Sequence, residues 1–440
     1  LSQILKPKKG YKLVKGLFGK SEEIPEEWNY AKIEDFCKKI TSGGTPNRKN
    51  STYFEGEIPW IKSGELNDNF ISISDEKITQ TGLDDSSAKL FPKNTVLIAM
   101  YGATIGKTAI IKKESTTNQA ICAILPDNSF DSFYLQQLLI SKRKILISFG
   151  MGAGQPNINQ EIIRTFHILL PPLDEQQKIS AILSNVNNLI TNTKKIINQT
   201  KFLKKGLMQK LLTKGISHKK FKKVSLGGQI LIQIPELWTV STLESISDGG
   251  TQNGLAISIS DYGKGVPIVG MTKFYSSEIL TNDNMKEVVL SPKNKELFSL
   301  KSFDLLFGRR SMDGSATGGA GKCIIVSEMK TPVIFESSVI RMSIKKEHNP
   351  FFIYQLFQSP LGKRIRIRII RVSAVSGISS GDLKKIKIPI PSKTEQDDIV
   401  SILSNVDSQI QSQTQHREKL ERLKKSLMQK LLTGQVRAIA

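Results

Sequence analysis

Several stretches of the chain carry residue types at spacings that chemistry uses. Gly102-Ala103-Thr104-Ile105-Gly106-Lys107-Thr108 resembles a phosphate-cradling loop, but only three residues separate its first glycine from Gly-Lys, where four are needed. Gly318-Gly319-Ala320-Gly321-Lys322-Cys323 repeats the theme without the hydroxyl that would hold a metal. Both read as tight turns between strands. Asn349-Pro350-Phe351-Phe352 is like the Asn-Pro-Pro-Tyr run of amino-methyltransferases, yet it lacks the second proline and no convincing glycine-rich loop precedes it. It reads as the start of a helix. The histidines (His167, His218, His348, His416) and cysteines (Cys37, Cys122, Cys323) lie far apart, with no CxxC, HxxxH or HExxH spacing. No catalytic residue and no metal ligand is expected.

Charge points to a polyanion. The 440 residues carry 63 Lys and Arg against 40 Asp and Glu, a formal net charge of +23, which favours nucleic acid over an acidic protein. Lys201 to Lys223 contains nine lysines and no acid, a segment suited to phosphates and to salt-dependent binding. In Lys363-Arg364-Ile365-Arg366-Ile367-Arg368-Ile369-Ile370-Arg371, a strand would align Arg364, Arg366 and Arg368. A helix would group Arg364, Arg368 and Arg371 instead. Base edges are read by Arg or Lys on guanine and by Asn or Gln on adenine. Near glycine turns, the first half of the chain offers Asn47, Arg48, Lys62, Tyr101, Asn118, Gln119, Gln155 and Asn157 for that work. The second half offers Lys273, Arg309, Arg310, Ser311 and Lys322.

The elements that must position these residues come from a duplication. Ile168 to Thr213 aligns with Ile388 to Thr433 without a gap. The copies share Glu-Gln (Glu175-Gln176, Glu395-Gln396), Ile-Leu-Ser-Asn-Val (182–186, 402–406) and Leu-Met-Gln-Lys-Leu-Leu-Thr (207–213, 427–433). Ahead of each copy, Ile24-Pro25-Glu26 with Trp28 answers Ile234-Pro235-Glu236 with Trp238. Gly43-Gly44-Thr45 is echoed in Gly249-Gly250-Thr251, and Ile58-Pro59-Trp60-Ile61 in Val266-Pro267-Ile268-Val269. Each shared segment reads as a helix of about 38 residues and about 57 Å, capped by Asp174 or Thr394. A heptad seam runs through Ile179, Val186, Thr193, Thr200, Leu207 with Ile182, Leu189, Ile196, Leu203. The second copy gives Ile399, Val406, Gln413, Leu420, Leu427 with Ile402, Gln409, His416, Leu423, polar in its middle. Beside the seam, Leu183, Ile190, Ile197, Leu403 and Ile410, with Leu207, Leu211, Leu427 and Leu431 at the shared ends, form a wider face for a helical partner.

Between the helices, short apolar runs such as 96–100, 109–111, 121–124, 304–307, 323–326 and 339–342 read as buried strands. The expected fold class is α+β: two globular mixed α/β domains joined by two long helices forming an antiparallel coiled coil, in a pseudo-two-fold internal repeat. The expected boundaries are a basic arm (1–23), a first globule (24–173), a helix (174–214), a basic linker (215–233), a second globule (234–393), a second helix (394–433) and a tail (434–440). Two separated, unlike heads on one basic chain suit a duplex whose half-sites lie about one turn, roughly 34–36 Å, apart.

The Ile-Pro-Glu…Trp segments, the helix starts Pro171-Pro172-Leu173-Asp174-Glu175-Gln176 and Thr394-Glu395-Gln396-Asp397, and the Leu-Met-Gln-Lys-Leu-Leu-Thr endings together resemble the DNA specificity subunit of type I restriction-modification systems. The resemblance spans essentially the whole chain. It implies a non-catalytic subunit whose two recognition domains each read half of an asymmetric, interrupted site on double-stranded DNA. It implies docking of two modification (methyltransferase) subunits on the helices for adenine methylation, joined by restriction subunits for cleavage. S-adenosylmethionine, ATP and Mg then belong to those partners, and this chain needs no cofactor of its own. A cytoplasmic location is expected, since no run approaches a membrane span of about 18 apolar residues and the first residues lack a secretory apolar core. Two rivals remain: a free-standing methyltransferase or nuclease, for which no intact motif is visible, and a coiled-coil scaffold without DNA specificity, which leaves the charge unexplained.

Overall fold

A computed structural model describes residues 7–16, 21–37, 39–150, 157–276, 279–280, 285–311, 319–329, 331–371 and 376–439. The chain forms two compact units, Leu1–Lys194 with Gln415–Ala440, and Lys195–Thr414. Each unit therefore combines one globule with the beginning of the long helix that follows it and the end of the other long helix.

In the first unit the apolar runs become a five-stranded sheet in the order Ile40–Ser42, Ile121–Ile124, Val96–Ala99, Thr108–Ile111, Asn69–Ile71. Only the last pair is parallel. The three central strands are buried at every residue, which is why they read as continuous apolar runs without alternation. Phe54–Ile61 pairs with Glu76–Ile78 and, in parallel, with Thr116–Thr117. Asn29–Lys32 pairs with His167–Leu170, so the strand before the long helix returns to the strand that opens the globule. Ser132–Phe149 is a helix packed on the sheet through Phe133, Tyr134, Leu135, Leu138 and Leu139.

The second unit repeats this plan. Its sheet runs Ser247–Asn253, Val339–Ile344, Leu305–Gly308, Cys323–Val326, Ile279–Leu280. Tyr262–Val269 takes the place of Phe54–Ile61, with the shared Pro59 and Pro267 as the sixth residue of each strand. Thr239–Thr242 pairs with Lys387–Ile390. Its packing helix is interrupted: Pro350–Gln358 ends at Ser359, whose hydroxyl accepts the Gly362 N–H and caps Pro360–Ile369. Pro360, which has no N–H to donate, forces that break.

One expected echo is corrected. Gly249-Gly250-Thr251 does not occupy the place of Gly43-Gly44-Thr45; it lies in a bulge of Ser247–Asn253, where the register shifts. Gly43 N–H donates to Ile121 O and Gly44 N–H to Thr117 O; in the second unit Gly254 N–H donates to Val339 O and Leu255 N–H to Phe335 O. The counterpart of Gly43-Gly44 is therefore Gly254-Leu255.

The long helices span Leu173–Lys214 and Lys393–Leu431. Each begins one residue before the expected cap, and Ser392, not Thr394, accepts the Glu395 N–H at the second start. Within the first unit, contacts ascend one helix while descending the other: Asn187 accepts from Lys424 Nζ at 3.0 Å and Lys194 pairs with Glu421 at 3.6 Å. Within the second unit, Lys204 pairs with Asp407 at 2.6 Å while Glu395 accepts the Ile216 N–H farther along. The pairing is antiparallel in both.

The shared Glu-Gln is a fastening. Glu175, 1% exposed, accepts from Trp28 Nε1 at 2.9 Å, and Glu395 accepts from Trp238 Nε1 at 2.9 Å. Gln176 donates to Pro171 O and accepts the Asp131 N–H; Gln396 donates to Pro391 O and accepts the Asn349 N–H. Asp131 and Asn349 in turn cap the packing helices. Asn349-Pro350 is thus a helix start, as its missing second proline indicated.

Candidate nucleic-acid interface

The two phosphate-loop lookalikes are the same turn in the two units. Gly106 N–H donates to Ala99 O and Gly321 N–H to Gly308 O, both glycines at positive φ (73° and 68°), where a side chain is strained. Their lysines turn back on the protein. Lys107 Nζ donates to Asp68 at 3.1 Å, and Lys322 Nζ donates to Phe274 O and lies near the Tyr275 ring. Asp68 also accepts from Arg143 and from the Thr108 N–H. Burial would raise the Asp68 pKa, but the Thr108 amide, Arg143 and Lys107 outweigh it and hold the carboxyl below its ordinary value.

Beside this turn each sheet ends in one repeated backbone junction. In the first unit Met100 N–H donates to Ala120 O (2.8 Å), Ile158 N–H to Met100 O (2.7 Å) and Asn118 N–H to Ile61 O (3.0 Å). In the second, Arg309 N–H donates to Ser338 O (2.7 Å), Ile378 N–H to Arg309 O (2.9 Å) and Glu336 N–H to Val269 O (3.0 Å). The junction gathers Tyr101, Asn118, Gln119 and Asn157 in one unit, and Arg309, Arg310 and Ser311 in the other. Gln119 accepts from the Thr45 hydroxyl, a contact that the sequence signalled only through the neighbouring Gly43-Gly44.

Other candidates are committed to the fold. Arg48 pairs with Glu76 at 2.6 Å and lies over the Trp60 and Phe54 rings, and Lys62 donates to the same carboxylate at 2.7 Å. The Lys62 bond, then Arg48, lowers the Glu76 pKa, and Glu76 raises that of Lys62. Asn47 accepts the Lys49 N–H in a local turn. Arg309 donates to Ser337 O, Ser311 is 5% exposed, and Lys273 sits on the helix Met271–Ser276. Gln155 lies outside the described residues. The arginine run is helical over Pro360–Ile369, which settles the two alternatives. It is not a free stripe, however. Arg366 is half-buried beside Gly321 and Cys323, and burial lowers its pKa. Arg368 donates to Leu226 O and Arg371 pairs with Asp382 at 2.8 Å. Among the described residues Arg364 remains exposed and uncommitted, as do Tyr101, Asn157 and Arg310.

The expected partner face is corrected too. The buried seam of the first helix is Ile179, Leu183, Val186, Ile190, Thr193, Ile197, and that of the second begins Ile399, Leu403, Val406. Leu183, Ile190, Ile197, Leu211, Leu403 and Leu431 are thus buried in this chain, while Leu207, Ile410 and Leu427 are half-buried. The residues left in solvent are those of the other column. Ile182 (37%), Leu189 (51%) and Leu423 (47%) are exposed in the first unit; Ile196 (46%), Leu203 (55%) and Ile402 (36%) are exposed in the second, beside Phe202 at 80%. Both columns are apolar and adjacent, so the seven-residue period was right and its second phase was off by one.

Among the described residues no group of His, Cys, Asp and Glu is arranged to hold a metal ion, and no helix is long and apolar enough to cross a membrane. A profile of the type I restriction modification DNA specificity domain matches residues 25–201 and again residues 235–422. The specificity subunit of the MjaVIII type I restriction enzyme of Methanocaldococcus jannaschii is 29% identical over 428 residues, covering 94% of each chain. The EcoKI specificity subunit of Escherichia coli K12 is 23% identical, over 86% of this chain and 82% of that one. A solved type I restriction-modification S subunit from M. genitalium has the same fold, with a TM-score of 0.54 at 16% identity, over 92% of this chain and 96% of that one.

Proposed function

Because the chain belongs to the type I restriction-modification DNA specificity family, we propose that it directs a restriction-modification complex to an asymmetric, bipartite DNA site. Each unit reads one half-site through the junction at the end of its sheet. The observation that carries this reading is the repeated junction itself: the same backbone bonds support unlike side chains in the two units, the arrangement that a two-part, unlike target demands. The net charge of +23 supplies the sequence-independent attraction to phosphates.

Methylation and cleavage are the work of docked subunits, on which S-adenosylmethionine, ATP and Mg act. The exposed sets Ile182, Leu189, Leu423 and Ile196, Leu203, Ile402 support two docking places, one per unit, since single-sided apolar columns on a helix suit a further helix. Restriction subunits join through that assembly. The test is methyl transfer to duplex DNA by the chain alone, by the cognate methyltransferase subunit alone, and by both. Site-specific adenine methylation by the mixture only is the expected result; methylation by this chain alone overturns the reading. Sequence-independent binding by the assembled complex, at every salt concentration, would favour a scaffold instead.

A further inference from the structure

Strand registers identify which side chains stand in the same place in the two units. Ala99 opposes Ile121 as Gly308 opposes Val339. Met100 therefore corresponds to Arg309, Tyr101 to Arg310, Gln119 to Ser337, Asn118 to Glu336 and Asn157 to Gly377. The junction bonds agree at each of these positions where they exist. The frame is constant and its outward chemistry is not.

In the second unit the two adjacent arginines have different fates. Arg309 is fixed by its own amide and by a 3.2 Å bond from its guanidinium to Ser337 O. Arg310 is exposed, held at the backbone by an antiparallel bridge to Gly377, and its guanidinium has no partner among the described residues. It is an anchored backbone carrying a free planar fork of donors. In the first unit the corresponding Tyr101 is 37% exposed and has no donor fork, and the amide chemistry comes from Gln119 instead. Gln119 is exposed, and its carbonyl accepts from the Thr45 hydroxyl, which restricts the side chain while leaving the amide donors and a second lone pair available. Beside it Asn118 Oδ1 is buried without a partner among the described residues, whereas Glu336 in its place accepts from Met271 N–H and Ser338 Oγ.

We infer that the base-reading group changes from unit to unit on this common frame: Arg310 takes a guanine edge in one half-site, and Gln119, steadied by Thr45, takes an adenine edge in the other. A guanidinium matches the two acceptors N7 and O6 of guanine. A carboxamide matches the acceptor N7 and donor N6 of adenine. An arginine or lysine must be both uncommitted and positioned to discriminate between bases, and a carboxamide must keep its N–H donors and a lone pair free, as Gln119 does. Arg48, Lys62, Arg309, Lys322, Arg366, Arg368 and Arg371 fail the first condition, and Arg364, on an exposed helix face outside the junction, fails the second. This inference rests on the reading of the chain as a two-headed DNA specificity subunit.

The test is selection of bound duplexes from a randomised library by the full chain assembled with its methyltransferase subunit, followed by sequencing. Wild type should return a bipartite motif. Arg310→Ala should lose a guanine preference of about ten- to a hundredfold at one position of one half-site, and leave the other half-site unchanged. Arg310→Gln, which keeps a polar side chain of similar reach, should lose the same guanine. Gln119→Ala should lose an adenine preference in the opposite half-site only. Arg364→Ala should weaken binding to all sequences alike and flatten the salt dependence. If Arg310→Ala, Arg310→Gln and Gln119→Ala lower affinity but return the wild-type motif, the inference is overturned while the two-headed reading stands. If wild type itself returns no motif, both fall.

Discussion

Glu175 and Glu395 stand at the same place in the two units and are held by different groups. Each accepts the indole N–H of its tryptophan, Trp28 or Trp238. Glu175 is completed by Nε and Nη2 of the Arg437 guanidinium and by the Ala438 N–H, all from the segment after the second long helix. Glu395 is completed by His218 Nε2 at 2.8 Å and the Ile216 N–H, from the segment after the first. A parallel difference occurs on the helices. Lys204 meets a carboxylate, Asp407, whereas its counterpart Lys424 donates to the amide of Asn187, and burial lowers the Lys424 pKa. The duplicated places are constant in geometry and need for a partner. The identity of the partner is free to change, provided that the buried group is satisfied.

The comparison can be broken most forcefully at Glu175. Replacing it with Ala leaves the Trp28 N–H without its acceptor and Arg437 with only the more exposed Glu27, and should destabilise the first unit by about 3–5 kcal/mol. Denaturant unfolding followed at Trp28 and Trp60 should show an early transition that Trp238, in the second unit, does not share. Glu395→Ala should reverse the order.

Docking is the next largest effect. Leu189→Asp and Leu203→Asp place a charge on the exposed column of one unit each, and should weaken methyltransferase-subunit binding at least tenfold, with little change in unfolding midpoint. Leu183→Asp, in the buried seam, should unfold the chain instead. Equal binding losses from Leu183 and Leu189 variants in folded protein would refute the assignment of the two columns.

The lock around Glu175 also carries a pH dependence. Its folded pKa is below the ordinary 4.5, because the bonds from Arg437, Trp28 and Ala438 N–H outweigh the effect of burial. A depressed carboxylate contributes its full stabilisation above the unfolded value and loses it as the pH falls through the folded one. The gap in denaturation midpoint between wild type and Glu175→Gln should therefore be widest near neutral pH and shrink as the solution becomes more acidic than the ordinary glutamate range. The smallest effect should come from making the helices alike. Asn187→Asp gives Lys424 the carboxylate that Lys204 already has, and should stabilise the first unit by about 0.5–1 kcal/mol, visible as a small rise in its unfolding midpoint.

Much of the fold was legible because it rests on local pattern. The Ile-Pro-Glu…Trp segments, the Glu-Gln pairs and the seven-residue columns are contiguous signals, and the all-apolar four-residue runs 96–99 and 121–124 admit few alternatives to buried strands. The seam's second column was not legible. Ile182-Leu183, Leu189-Ile190 and Ile196-Ile197 put two apolar residues side by side, so periodicity fits either, and only the packing of the opposing helix chooses. The Gly249-Gly250 echo failed for a related reason: a bulge shifts the register without altering the glycine pattern. The candidate site was legible by residue type alone. Nothing local separates Arg309 from Arg310, or Arg364 from Arg368.

What the amino-acid sequence by itself determined is the duplicated plan: two unlike globules, two matching long helices, and a basic surface for a polyanion. Those follow from chain-local periodicity, composition and repetition. The tertiary structure alone decided that each globule is completed by the end of the other copy's helix. It also decided which cations are spent on Glu76, Asp68 and Asp382 and which remain free. Hydrogen bonds and ion pairs between distant segments make that division, and a side chain's availability to a ligand depends on the partners that folding has already given it.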